Sequence, residues 1–160
     1  MLNSNKSVHP TLNIPPVSVK LTEVDSVLMV FDVVRKKHLV LTAEEWVRQH
    51  FLNFMIDYLG YSKSLIKTES GLTVGKERQK RSDIVVFDSN GTPILLVECK
   101  SYEVKIDEQV LQQAIHYNQT YQSPTLVLTN GLSHYCFRWD NKKSGYVQIK
   151  EIPAFKNLNP

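Results

Sequence analysis

The stretch DIVVFDSNGTPILLVECK, Asp83 to Lys100, decides how the rest of the chain is read. Two apolar runs, Asp83–Phe87 and Ile94–Lys100, flank Asp88-Ser89-Asn90-Gly91-Thr92-Pro93, and Asn-Gly between β-type runs is a strong hairpin signal. Ile94-Leu95-Leu96-Val97 is apolar on both parities, as a strand buried on both faces should be. The same strand then ends on Glu98-Cys99-Lys100. Side chains two apart share a face, roughly 6–7 Å from each other, so Glu98 and Lys100 point one way and Cys99 the other. Antiparallel pairing across the hairpin brings Asp83 to the Glu98–Lys100 end.

Two bare carboxylates about 4 Å apart repel by roughly 4 kcal/mol at an effective dielectric of 20, so a cation must offset them. Lys100 is one candidate. A divalent metal held by Asp83, Glu98 and a backbone carbonyl is the other, and oxygen-only ligands favour Mg²⁺ or Mn²⁺ over zinc. A plain ion pair of Lys100 with Glu98 or Asp83 accounts for the same residues without chemistry. A helix expected from Asp107 to about Tyr121 follows, with Gln113 and Tyr117 four apart and hence on one face. Their amide and hydroxyl can hydrogen-bond a phosphate or orient a metal-bound water. Tyr117 alone would read as a core residue with its hydroxyl at the rim.

Upstream, Thr42-Ala43-Glu44-Glu45 reads as a helix start, with Thr42 as cap and Glu45 at the capping-box position. Val47, Phe51, Phe54, Met55, Tyr58 and Leu59 keep the helical period until Gly60 stops it. β-type runs at Val27–Phe31 and His38–Leu41, about a basic Arg35-Lys36-Lys37 turn, predict an N-terminal hairpin. Further strands are expected at Ser64–Thr68, in TLVLTN and SHYCFRW around Asn130-Gly131, and at Tyr146–Lys150. That order predicts an α/β domain, a small mixed sheet flanked by helices with an extra N-terminal β-hairpin. Residues 1–21, rich in Asn, Ser and Pro, read as a flexible tail, residues 22–155 as a single domain and 156–160 as a C-terminal tail.

Composition excludes several classes. With 160 residues, 42% apolar and 22% charged, the chain is an ordinary one-domain globule. Nineteen Lys and Arg against sixteen Asp and Glu give +3, compatible with a nucleic-acid partner without demanding one. Two cysteines, Cys99 and Cys136, argue against a disulfide scaffold or zinc finger. No signal peptide and no membrane-length apolar run is seen, so a cytoplasmic location is expected. Gly71–Glu77 brushes against a P-loop but has one residue too few between its glycines and Glu77 where Ser or Thr would bind Mg²⁺.

Taken together, Asp83, Glu98-x-Lys100 and Gln113-x-x-x-Tyr117 resemble the PD-(D/E)XK nuclease superfamily. More narrowly they resemble the N-terminal nuclease domain of type I restriction enzyme R subunits. The stretches FDVVRKKHLVLTAEEWVRQHF, RSDIVVFD, LQQAIHYNQ and LTNGLSHYCF look like that family too, so the likeness runs over residues 22–155. Ser82 stands where the name motif has Pro. The resemblance implies a restriction-endonuclease-like fold and a Mg²⁺-dependent (or Mn²⁺-dependent) phosphodiesterase acting on DNA. Asp83, Glu98 and the Cys99 carbonyl would hold the metal, with Lys100 activating water and Gln113 and Tyr117 assisting. An acid of the first helix often completes such sites, and Glu44 and Glu45 compete for the place, with Glu45 the choice. Lys76, Arg78, Lys80 and Arg81 could touch flanking phosphates, or form a solvated loop.

Full-length R subunits carry an ATP-driven motor for which 160 residues leave no room. Few basic residues imply weak DNA binding, so a second copy or another restriction or defence subunit is the expected partner, and no membrane. The alternative is a catalytically silent DNA-binding or partner-docking module of a restriction or defence complex.

Overall fold

A computed structural model describes residues 8–68, 73–74, 77–78 and 84–158. Asp83, Lys76, Lys80 and Arg81 lie outside the described residues. The hairpin forms as its turn chemistry requires. β7 (Ile84–Phe87) and β8 (Pro93–Cys99) pair antiparallel, with Ile84 opposite Val97 and a bulge between Val86 and Phe87. Asp88 Oδ1 accepts from the backbone of Asn90 and Thr92, and Gly91 takes φ +82°.

Around this hairpin a six-stranded sheet runs in the order β11-β10-β9-β8-β7-β4. It adds β4 (Ile66–Thr68), β9 (Thr125–Thr129), β10 (His134–Asp140) and β11 (Gly145–Ile149). Among the described strands only β8 and β9 pair in parallel, which makes the sheet mixed as expected. The parallel pair is bridged by α2 (Glu108–Tyr121), capped where Asp107 Oδ1 accepts from Val110 N at 3.1 Å.

α1 (Ala43–Leu59) begins and ends on the residues its sequence names: Thr42 Oγ1 accepts from Glu45 N at 3.0 Å, and Gly60 adopts φ +74°. The two helices cover opposite faces of the sheet. Val47, Phe51, Leu52 and Met55 of α1 pack with Leu95, Val97 and Cys99 of β8. Leu96 and Val85 join Ile115 and Tyr121 of α2 on the other face, where Leu128 meets Val110 and Ala114. Strand alternation thus sorts one buried strand between two cores.

The N-terminal hairpin is wider than expected. β2 (Val27–Asp32) and β3 (Lys37–Val40) are joined by β1 (Leu21–Val24) in a separate three-stranded sheet. Asp25 and Ser26 both take positive φ, 48° and 64°, the two-residue turn whose twist suits a hairpin. Asp-Ser announces that turn more weakly than Asn-Gly does, which hid β1. Within the charged link, β5 (Thr73–Val74) pairs with β6 (Glu77–Arg78).

Residues 1–7 and 159–160 of the two expected tails lie outside the described residues, and among the described residues neither end is simply a tail. From His9 the arm is docked: Leu12 is buried, Asn13 N donates to Gly131 O at 2.8 Å, and Trp46 Nε1 donates to Pro10 O at 3.1 Å. Gly131, at φ +83°, leaves the notch that Leu12 fills, since a Cβ there would lie 2.7 Å from Leu12 Cδ2. Tyr58 also donates to Pro16 O at 2.7 Å. At the other end Phe155 and Leu158 pack on the α1-side core, and Tyr61 donates to Pro153 O at 2.7 Å.

Candidate active site

The charged end of β8 sits where the parity argument put it. Glu98 pairs in register with Leu128, whose side chain packs against α2, so Glu98 projects to the α2 face. Glu98 is 3% exposed and Lys100 6%, and Lys100 Nζ lies 3.0 Å from Glu98 Oε1. Cys99 is buried in the α1-side core, on the opposite face. One step beyond the parallel ladder, Lys100 N donates to Thr129 O at 2.8 Å.

α2 lies over that same face, and its buried stripe is Val110, Ala114 and Asn118. Gln113 and Tyr117 each precede a stripe residue by one and are half-buried on the helix flank. Glu98, Lys100, Gln113 and Tyr117 therefore share one side of the sheet. Ile84, next in sequence to Asp83, pairs with Val97, next to Glu98. Arg78 is in β6, and its neighbours Lys76, Lys80 and Arg81 are outside the described residues. Among the described residues no three His, Cys, Asp or Glu side chains gather closely enough to hold a metal ion.

Glu45 is engaged elsewhere. Its Oε1 accepts from Gln49 Nε2 at 2.8 Å and lies 3.9 Å from Arg35 Nη2, while Oε2 pairs with Arg48 Nη1. Arg48 Nη2 also holds Glu44 Oε1 at 2.9 Å. So the carboxylate read as a capping-box arm or a metal ligand is bound into an arginine network on the α1 side.

The hub of that network is Asp32, which sequence reasoning passed over. Asp32 is fully buried. Its Oδ1 accepts from Val34 N and Arg35 N at 2.9 and 2.8 Å, and its Oδ2 from Arg35 Nε and Gln49 Nε2 at 2.9 and 3.0 Å. Burial alone would raise the Asp32 pKa. Hydrogen bonds from the Arg35 backbone and guanidinium and from Gln49 outweigh it and hold the group below its ordinary value. The spacing of Glu44 and Glu45 to Arg48 was a local signal for part of this cluster. Nothing local marks Asp32.

A groove of about 500 Å³ lies at the C-terminal end of α2, lined by Ile115, Asn118, Gln119, Trp139 and Tyr146 among others. It also includes Pro124, at the far end of β9 from Thr129, but not Glu98, Lys100, Gln113, Tyr117, Asp32 or Glu45. Size alone does not make it the reacting centre.

Comparison with known proteins follows the same lines. No curated protein sequence matches the chain. A fragment of a putative HsdR subunit of a type I restriction enzyme from Vibrio vulnificus YJ016 shares the fold at 21% identity and a TM-score of 0.53. That match covers 74% of this chain but 24% of the Vibrio chain, so this protein spans about a quarter of it. The family model for the type I restriction enzyme R protein N terminus matches residues 43–153. That span runs from the start of α1 through β11, so the chain belongs to the family of type I restriction enzyme R protein N-terminal domains.

Proposed function

We propose that this chain is a divalent-metal-dependent endonuclease domain that hydrolyses phosphodiester bonds in DNA. The observation that carries the reading is the buried Glu98–Lys100 pair at the end of a central strand, 3.0 Å apart and facing the helix that bears Gln113 and Tyr117. A carboxylate and an ammonium so deep in a sheet cost several kcal/mol of desolvation each, a cost that reaction chemistry explains better than stability does.

The donor set suits Mg²⁺ or Mn²⁺: Glu98, Asp83 and the Cys99 carbonyl would hold the ion through hard oxygen atoms. When bound, such an ion lowers the pKa of its water and withdraws charge from the phosphate. Lys100 orients the attacking water and screens the phosphate charge. The Gln113 amide and the Tyr117 hydroxyl steady a phosphate oxygen. Lys76, Arg78, Lys80 and Arg81 neutralise flanking phosphates. Glu45 is the first-helix acid that could join the ion, and its carboxylate also holds Gln49 and Arg48. The substrate is cytoplasmic DNA, and other restriction subunits or a second copy supply most of the affinity.

The test is cleavage of plasmid DNA with Mg²⁺ or Mn²⁺ by wild type, Asp83→Ala and Lys100→Ala. The expected result is loss of about a thousandfold or more in both variants, as for removal of a transition-state charge. Cleavage that survives both substitutions removes the reaction from this site. Calorimetric metal titration of wild type and Asp83→Ala reads the ion separately from the reaction.

A further inference from the structure

Behind the strand end that carries Lys100, on the α1 face, a chain of hydrogen bonds runs out to the N-terminal arm. Lys100 N donates to Thr129 O at 2.8 Å. The buried hydroxyl of Thr129 accepts from Gly131 N at 2.9 Å and lies 2.8 Å from His134 Nδ1. His134 Nε2 lies 2.8 Å from the Asn13 carbonyl. A carbonyl only accepts, so Nε2 carries a proton, and burial, which favours the neutral ring, leaves Nδ1 to accept from the Thr129 hydroxyl. Every donor in that chain then has an acceptor, with a neutral imidazole at its centre.

The segment leaving Lys100 is tied from the same quarter. Asn130 Nδ2 donates to Val104 O at 2.8 Å, and the Tyr102 hydroxyl meets His9 Nδ1 at 2.9 Å. His9 stacks on Trp46 with ring centres 5.1 Å apart and an 18° tilt. Backbone on either side of Lys100 is therefore held by the β9–β10 turn and the arm, while its side chain works on the other face.

We infer that Thr129 and His134, locked by Asn13 of the arm, are positioning residues that fix the Cys99–Lys100 backbone so that Lys100 and Glu98 meet in register. This rests on the nuclease reading for its consequence and on the hydrogen bonds alone for its geometry. Misplacing a reacting group by about 1 Å can cost a hundredfold in rate, so one lost hydrogen bond behind the strand is enough to be read.

The experiment compares wild type with Thr129→Val, His134→Leu and His134→Gln, in which the glutamine amide can both donate and accept. Residue-resolved amide exchange is expected to speed at Lys100 by about tenfold in the first two variants, while Leu95 and Leu96 stay protected. Turnover in DNA cleavage is expected to fall by about tenfold with KM unchanged, and His134→Gln to regain most of it. Unchanged exchange at Lys100 and unchanged turnover in folded Thr129→Val overturn the inference. If His134→Leu fails to fold, Thr129→Val carries the test, since it removes one hydroxyl within the same shape. A wild type that cleaves nothing overturns the nuclease reading, and the exchange data still decide the positioning role.

Discussion

Two regions of this protein bury charge, on opposite sides of one sheet, and they do it differently. On the α1 side Asp32 takes hydrogen bonds on both oxygens from β2–β3 turn backbone, Arg35 and Gln49, in a network that extends to Glu45 and Arg48. On the α2 side Glu98 meets Lys100 two residues along the same strand. The first arrangement joins separate elements and lowers the pKa of its carboxylate. The second arises within three consecutive residues at the end of one strand, by parity. Charge of the first kind welds elements together, and charge of the second kind, offered by a strand to a helix-lined face, is what the proposed reaction would use.

The largest effects should separate the two. Asp32→Ala leaves the Arg35 guanidinium buried without its carboxylate, and its Nη1 already has no hydrogen-bond partner. Arginine cannot shed its proton, so the loss is expected at about 3–5 kcal/mol, or roughly 10 °C in Tm, at every pH from 5 to 8. Lys100→Ala instead leaves Glu98 without its ammonium, and a carboxylate has an escape by protonation or by a metal ion. Its stability deficit should therefore shrink at pH 5 or on adding Mg²⁺, while the Asp32→Ala deficit stays. Denaturant titrations at two pH values, with and without Mg²⁺, read both variants. Equal rescue of the two would erase the distinction.

Acid should act first away from the α2 side. His50 and His134 are both held below their ordinary 6.5 by burial, partly offset by backbone hydrogen bonds to Trp46 and Asn13. The unfolded chain takes up those protons from about pH 6.5 downward while the folded chain resists, so their stabilisation is whole above that value and is lost below it. Asp32 adds a second loss of the same sign, beginning below its ordinary 3.8 and continuing through its lower folded value. Stability should fall between pH 7.5 and 5, and His134→Gln should flatten part of that slope. A flat profile in wild type would mean that neither histidine is desolvated in solution.

What the sequence made legible follows the same division between local and tertiary causes. Asn90-Gly91 and the Ile84 and Leu95 runs specify the hairpin from neighbours alone, and Thr42 and Gly60 mark both ends of α1. The E-x-K pair was readable because strand parity needs no partner. β1 was missed because Leu21–Val24 is short and its Asp25-Ser26 turn carries a weak signal. The described part of the arm reads as a tail in sequence because its order comes from Leu12 entering the notch at Gly131, 119 positions away, and from hydrogen bonds to His134 and Trp46. The Asp32 network escaped for the same reason: Gln49 reaches it from 17 residues on. Asp83, the acid on which the resemblance leans most, lies outside the described residues.

The smallest expected effect marks the edge of the network. Glu44 holds Arg48 Nη2 at 2.9 Å, yet its side chain is 47% exposed, against 10% for Glu45 on the same arginine. Solvent screens the outer pair, so Glu44→Gln should cost about 0.5 kcal/mol or less, and 0.5 M salt should erase most of the difference from wild type. Glu45→Gln keeps the shape and one acceptor but removes a buried charge facing Arg48 and Arg35, and should cost about 2 kcal/mol or more, with little response to salt. Urea titrations of both variants at low and high salt check this. If Glu44→Gln proved the costlier, or Glu45→Gln lost its penalty in salt, the network would be a surface feature, and the contrast between a welded face and a working face would lose its physical basis.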